Sequence, residues 1–193
     1  MITQIKGKLV EKKPTQVVVD CNGIGYEINI SLYTFSSLSS DENIKLFTHL
    51  QVREDAHILY GFFTILERAV FRLLISVSGI GTSTARTMLS SLTPAEIQQA
   101  IGTEDIATIQ GVKGIGLKTA QRLIIELKDK IKSLQGTDEI PVFKNNTIKE
   151  ETLSALEVLG YSRKASAKVV DKLVQGEPDS SVEELIKSAL NKL

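Results

Sequence analysis

The residues of this chain best suited to chemistry are glycines, lysines and arginines, and their spacing points to phosphate binding. The run Gly111-Val112-Lys113-Gly114-Ile115-Gly116-Leu117-Lys118-Thr119-Ala120-Gln121-Arg122 sets two glycines around one apolar residue, with cations on both sides. Glycine reaches backbone angles closed to other residues, so Gly114-Ile115-Gly116 can turn tightly, send Ile115 inward and present the amides of a following helix outward. Such a helix start attracts phosphate. Lys113 and Lys118 flank it, and Arg122 lies one turn past Lys118 on the same helix face, so the natural ligand is a nucleic-acid backbone.

The same stretch comes within one insertion of a nucleotide-binding loop, through Gly111, Gly116, Lys118 and Thr119. That loop needs Lys directly after its second glycine and a strand before its first. Leu117 intervenes here, and Glu104 to Val112 has helical spacing through Ile106 and Ile109. The pattern therefore excludes an ATPase of this type.

A second copy supports the hairpin reading. A shift of 35 positions pairs Val77 with Val112, Gly79-Ile80-Gly81 with Gly114-Ile115-Gly116, Thr84 with Thr119, Ala85 with Ala120, Met88 with Leu123 and Leu89 with Ile124. One glycine pair is a weak signal; two with matched helical spacing form an internal repeat. The expected unit is a tandem helix-hairpin-helix that grips duplex without reading its sequence.

Other reactive groups are scarce. Cys21 is the only cysteine and His49 and His57 the only histidines, so neither an intrachain disulfide nor a zinc cluster can be assembled, and no metal or cofactor is expected. Glu54 and Asp55 sit together in a polar turn and make at most half a metal site. Beside DNA, two carboxylates repel phosphate by about 1 kcal/mol per charge pair at roughly 4 Å in water. Symmetric copies around one DNA centre would multiply that.

The elements that must position these groups follow from periodicity. β-Branched and aromatic runs at 2–10, 16–20, 26–30, 44–52 and 57–62 predict five strands, with a short helical stretch near 32–38 between the third and fourth. That order suits an OB-fold barrel over residues 1–63. Tyr26, Phe47, Tyr60 and Phe62 fit strand alternation and read as core rather than as base-stacking platforms. Residues 64–134 have helical period, with Thr93-Pro94-Ala95-Glu96 marking a helix start. Residues 135–149 lose the period and gain Gly, Pro, Asn and Asp, the composition of a mobile linker. Residues 150–193 hold three short helices around Leu153, Leu156 and Leu159, then Ala165, Val169 and Leu173, then Leu185, Ala189 and Leu190. The last is capped by Ser181-Val182-Glu183-Glu184.

The 193 residues are 42% hydrophobic and 24% charged, an ordinary soluble composition. With no signal-peptide core and no run of about 18 apolar residues, the expected location is the cytoplasm, away from membranes. The net charge of zero hides an asymmetry: residues 64–135 carry 9 Lys/Arg against 6 Asp/Glu, whereas 1–63 carry 6 against 7 and 136–193 carry 8 against 10. Positive charge gathers at the hairpins.

Over essentially its full length the chain resembles the bacterial RuvA family of Holliday-junction-binding proteins. Val52-Arg53-Glu54-Asp55-Ala56 followed by Leu59-Tyr60-Gly61-Phe62 is similar to the family's acidic pin, and residues 114–128 are similar to its second DNA-binding motif. The resemblance implies an α+β multidomain protein: an OB-fold, a tandem helix-hairpin-helix domain, a flexible linker and a C-terminal three-helix domain like a ubiquitin-associated module. It implies a homotetramer, or two tetramers face to face, holding a four-way junction open and flat in recombination and DNA repair. Its C-terminal domain would recruit the hexameric ATPase RuvB, and the resolvase RuvC is a further expected partner.

Family members often carry lysine where this chain has Ser83. The first hairpin is therefore expected to grip less strongly, through the amides after Gly79 and Gly81 and through Arg86. In the last domain, the apolar residues Leu156, Leu159, Tyr161 and Leu190 exceed what so small a bundle readily encloses and are candidates for partner binding.

Two other classes remain open on sequence alone. Tandem hairpins also occur in DNA-cleaving and base-excising enzymes, but those need a carboxylate cluster or a deep pocket for which no residues stand out. A general duplex-binding module with a protein-binding tail would show equal affinity for linear and four-way DNA.

Overall fold

The computed structural model describes residues 1–39, 43–132, 134, 148–176 and 181–192. The chain divides into two units, Met1–Glu139 and Ile140–Leu193.

The first unit begins with a closed barrel of β1 (Gln4–Lys13), β2 (Gln16–Cys21), β3 (Ile24–Ile30), β4 (Asn43–Val52) and β5 (His57–Phe62), in the order β1-β2-β3-β5-β4. Alternation puts Val17, Val19, Ile28, Ile30 and Leu46 inside. β1 pairs with β4 through Gln4–Lys8 and with β2 from Lys8 onward, so it turns from one neighbour to the other at Gly7–Lys8. A Cβ on Gly7 would lie 2.1 Å from the carbonyl oxygen of Asp20, so only glycine permits that close crossing. Helix α1 (Leu32–Ser37), capped by Ser31, links β3 to β4, where the sequence places it.

Five helices follow: α2 (Ile65–Ile75), α3 (Thr82–Ser91), α4 (Pro94–Gly102), α5 (Ile106–Gln110) and α6 (Leu117–Lys132). Leu66, Val70 and Leu74 of α2 face the helical core together with Phe71. β5 enters the same core, because the rings of Tyr60 and Phe62 lie 5.2 and 4.8 Å from that of Phe71. The expected capping box of α4 is present between Thr93 and Glu96. A helix, α5, precedes Gly111, as the rejection of a nucleotide loop required.

Glu67 stands in the first turn of α2, where its N–H donates to Thr64 Oγ1 at 3.0 Å, yet its side chain is fully buried where α1 meets α2. Ser31 and Thr34 donate their hydroxyls to its two oxygens, at 2.5 and 2.6 Å, and the Phe63 N–H donates at 3.0 Å. Burial pushes its carboxyl above the usual range, and these donors partly oppose that shift. A carboxyl with a raised native pKa contributes stability that is complete below the pKa of an unfolded glutamate, about 4.3. That contribution is lost as pH rises through the native value. Urea unfolding of the parent and Glu67→Gln from about pH 4 to about pH 8 should show a fall in the parent that the variant lacks. Parallel profiles would remove Glu67 as its source.

The second unit holds α7 (Ile148–Val158), α8 (Arg163–Gly176) and α9 (Val182–Leu190). α7 ends in a Schellman motif: Gly160 has φ +96°, its N–H donates to the Glu157 carbonyl, and the Tyr161 N–H donates to that of Leu156. Leu153, Leu156, Val170, Leu173, Leu185 and Ala189 form the core. Ala165, expected inside, is exposed, and Val170 takes the inward place on α8. The Ser181–Glu184 capping box is present. The expected linker falls outside the described residues as far as 147, and Ile148 and Lys149 already belong to α7.

Candidate nucleic-acid interface

The two hairpins are near copies in geometry. Gly79 and Gly114 have φ of +93° and +92°, in the left-handed region that favours glycine. The Ile80 N–H donates to the Val77 carbonyl at 3.1 Å, and the Ile115 N–H to that of Val112 at 3.1 Å. Both isoleucines are buried, at 4% and 5% exposure, so each anchors its turn from below. The carbonyls of Gly81 and Gly116 accept from Ala85 and Ala120, each at 2.9 Å, and open the following helices.

These helix starts differ from those of α1, α2, α4, α5 and α9, where Ser31, Thr64, Thr93, Asp105 and Ser181 each accept a backbone N–H of the first turn. Gly81 makes no such bond, and Gly116, which precedes α6, has no side chain to make one. The amides of Ser83 and Thr84, and of Lys118 and Thr119, are left for an external acceptor.

Around the second hairpin, Lys113 and Lys118 are exposed and have no ion-pair partner among the described residues. Arg122 is paired with Glu126 at 3.6 Å, both well exposed, an interaction weak enough for a phosphate to replace. Thr119 is half-buried.

At the first hairpin Ser83 is exposed and its carbonyl accepts from the Thr87 hydroxyl. Arg86, expected to add to the grip there, is drawn instead to the barrel. Its guanidinium donates to Asn29 Oδ1 at 2.7 Å and toward the Thr15 carbonyl at 3.4 Å. No local pattern signals this, because both acceptors are more than 50 residues away.

Glu54 and Asp55 stand exposed at the tip of the β4–β5 hairpin, which the Arg53 N–H closes on the Ala56 carbonyl at 2.8 Å. Among the described residues no group of three or more His, Cys, Asp or Glu could hold a metal. No helix among them is long and apolar enough to cross a membrane.

In the second unit Leu159 (56% exposed), Tyr161 (37%) and Leu190 (38%) reach the surface. Leu156 does not: it is fully buried and accepts from Tyr161 through its carbonyl, so it belongs to the core and not to a partner surface. Val158, 86% exposed, is a further apolar surface residue that the sequence did not single out. Its place beside Leu159, just before the chain reverses at Gly160, was the available signal.

Family models match nearly the whole chain: the RuvA N terminal domain over residues 1–61, a SAM-like helix-hairpin-helix tandem over 71–129, and the RuvA C-terminal domain over 147–193. The chain is 61% identical to a protein of Christiangramia forsetii and 56% identical to one of Flavobacterium psychrophilum. A protein of Bacteroides thetaiotaomicron is 46% identical. All three alignments cover 100% of both partners, and all three relatives are named Holliday junction branch migration complex subunit RuvA.

Proposed function

The chain belongs to the RuvA family, and from that premise we propose that it is the DNA-binding subunit of a branch-migration complex. It binds four-way junction DNA and does no chemistry of its own, and the ATPase that drives migration is its partner RuvB. The carrying observation is the pair of matched hairpins, each with a positive-φ glycine and a helix start without a side-chain cap. Such a surface holds phosphates rather than base edges. The finer parts of the proposal are a homotetramer that holds the junction open, phosphate contacts centred on Lys113, Lys118 and Arg122, and a C-terminal unit that docks RuvB through Leu159, Tyr161 and Leu190. A RuvC resolvase would act on the same junction.

Gel shifts with junction and linear duplex, together with mass measurement in solution, test this directly. A fourfold assembly that prefers the junction is expected; equal affinity for both DNAs would favour a general duplex-binding module. Each phosphate contact adds a slope of about −0.9 to log affinity against log salt, so Lys118→Ala should flatten the dependence by about one contact per subunit. An unchanged slope would take Lys118 out of the interface.

The acidic tip supports a steering role. Glu54→Gln with Asp55→Asn removes repulsion toward phosphate and should keep or tighten junction binding while altering the speed or control of branch migration. Loss of binding in that double variant, or metal-dependent cleavage by the parent, would defeat this assignment.

A further inference from the structure

The internal repeat is broken along one stripe. On α3, Thr82, Arg86 and Ser90 follow one another at helical spacing, and each bonds to the barrel or to the helix that leaves it. Arg86 reaches Asn29, Ser90 Oγ accepts from the Leu32 N–H at 3.1 Å, and Thr82 joins two strands. The matching positions on α6 are Leu117, Gln121 and Ile125, all exposed, Ile125 by 79%. All three positions of the stripe are polar and bonded in the copy that meets the barrel, whereas the other copy sets one polar residue, Gln121, between the apolar Leu117 and Ile125.

Thr82 makes the most specific of these connections. It is the first residue of α3 and 6% exposed. Tyr60 of β5 donates its hydroxyl to Thr82 Oγ1 at 2.9 Å, and Thr82 donates its own to Gln51 Oε1 of β4 at 3.1 Å. Gln51 pairs across the ladder with Ile58, one position before the Val52–His57 pair that leads into the acidic turn. A single hydroxyl therefore ties both strands of the acidic hairpin to the start of the first phosphate-binding helix. Tyr60 is held in turn by its ring contact with Phe71.

We propose that the Thr82–Gln51–Tyr60 joint is a positioning device that fixes Glu54 and Asp55 relative to the phosphate-binding amides of Ser83 and Thr84, and so sets the preference for junction over continuous duplex. The inference rests on the junction-binding reading above. Its logic is that discrimination comes from a repulsive element held in place. A continuous duplex seated on the hairpins must pass the carboxylates, whereas a junction opens around them. A loosened hairpin swings away from phosphate and no longer rejects the duplex.

The test uses the full chain and three variants. Thr82→Val keeps the shape and removes the hydroxyl; Gln51→Met removes the acceptor without touching α3; Thr82→Ser keeps the hydroxyl. Affinities for junction and linear duplex are measured beside thermal unfolding. Thr82→Val and Gln51→Met should hold junction affinity within about 2-fold and tighten linear-duplex binding by roughly 2- to 12-fold, the factor one neutral hydrogen bond supplies. Thr82→Ser should keep the parent ratio. Unchanged duplex affinity in both Thr82→Val and Gln51→Met overturns the proposal. So does parallel weakening on both DNAs, which would mark Thr82 as a stability or direct-contact residue. If the parent itself shows no junction preference, the underlying functional reading fails, and the proposal with it.

Discussion

Gly116→Val and Gly81→Val should each remove most of the DNA affinity while leaving a folded protein. The glycines of each hairpin have separate jobs. Gly79 and Gly114 have positive φ, so any side chain there strains the turn itself. Gly81 has φ −84° and ψ 170°, angles open to all residues, and a Cβ added at Gly81 or at Gly116 would meet no atom within 4 Å. A Cβ at either site therefore touches nothing of the protein, and it would stand on the side proposed above for phosphate. The fold loses only the preference for glycine over valine at a helix start, on the order of 1 kcal/mol. Binding loses charge-assisted hydrogen bonds of about 1.5–3 kcal/mol each, or roughly 10- to 100-fold per contact. The harm should exceed that of Lys118→Ala. Thermal unfolding and gel shifts decide it: a variant that binds normally would clear the helix starts of any role, and one that unfolds would show the positions to be structural.

The second large effect is expected from truncation after Gln135. The first unit would keep Ile131 and Leu134, which pack on its helical core, and the second unit has a core of its own. Residues 150–193 carry 6 Lys/Arg against 8 Asp/Glu and no glycine hairpin of the kind found at 79–81, so they have little to offer a phosphate. Their exposed Val158, Leu159 and Tyr161 cluster around one helix end and suit a protein partner. The truncated chain should assemble and bind junction DNA nearly as the parent does, yet fail to support ATP-driven branch migration with RuvB. Full stimulation of the motor, or loss of DNA binding, would overturn the assignment of the tail.

What could be read from the sequence was local. The glycine turns, the succession of five strands with a helix between the third and fourth, and the two capping boxes each show in short runs of residues, and the structure contains all of them. What escaped depends on distant partners. Arg86 looked like a hairpin cation until Asn29 and Thr15 claimed it. Leu156 looked spare until the three helices closed around it. Glu67 carried a readable hint, since it falls three, four and seven residues before Val70, Phe71 and Leu74 on a buried face. Its partners Ser31 and Thr34 lie more than 30 residues upstream. Thr82 could have been flagged by setting the repeat against itself, where it stands opposite Leu117.

The barrel also orders events in time. β1–β2, β2–β3 and β4–β5 are hairpins between neighbours in sequence, whereas β1 meets β4 over Gln4–Lys8 and β3 meets β5 in parallel only at Asn29–Tyr60 and Ile30–Gly61. The partners in these two ladders are roughly 30 to 43 residues apart, so the loop entropy of joining them is lost before the contact rewards it. The local ribbons are expected to form early and the two long-range seams, β1–β4 and β3–β5, to close late. Because β5 also carries Tyr60 and Phe62 into the helical core beside Phe71, the helices are expected to complete their packing with the closing of the barrel. Folding of the helical half that carries the two glycine hairpins is thereby expected to follow the closing of the barrel that precedes it.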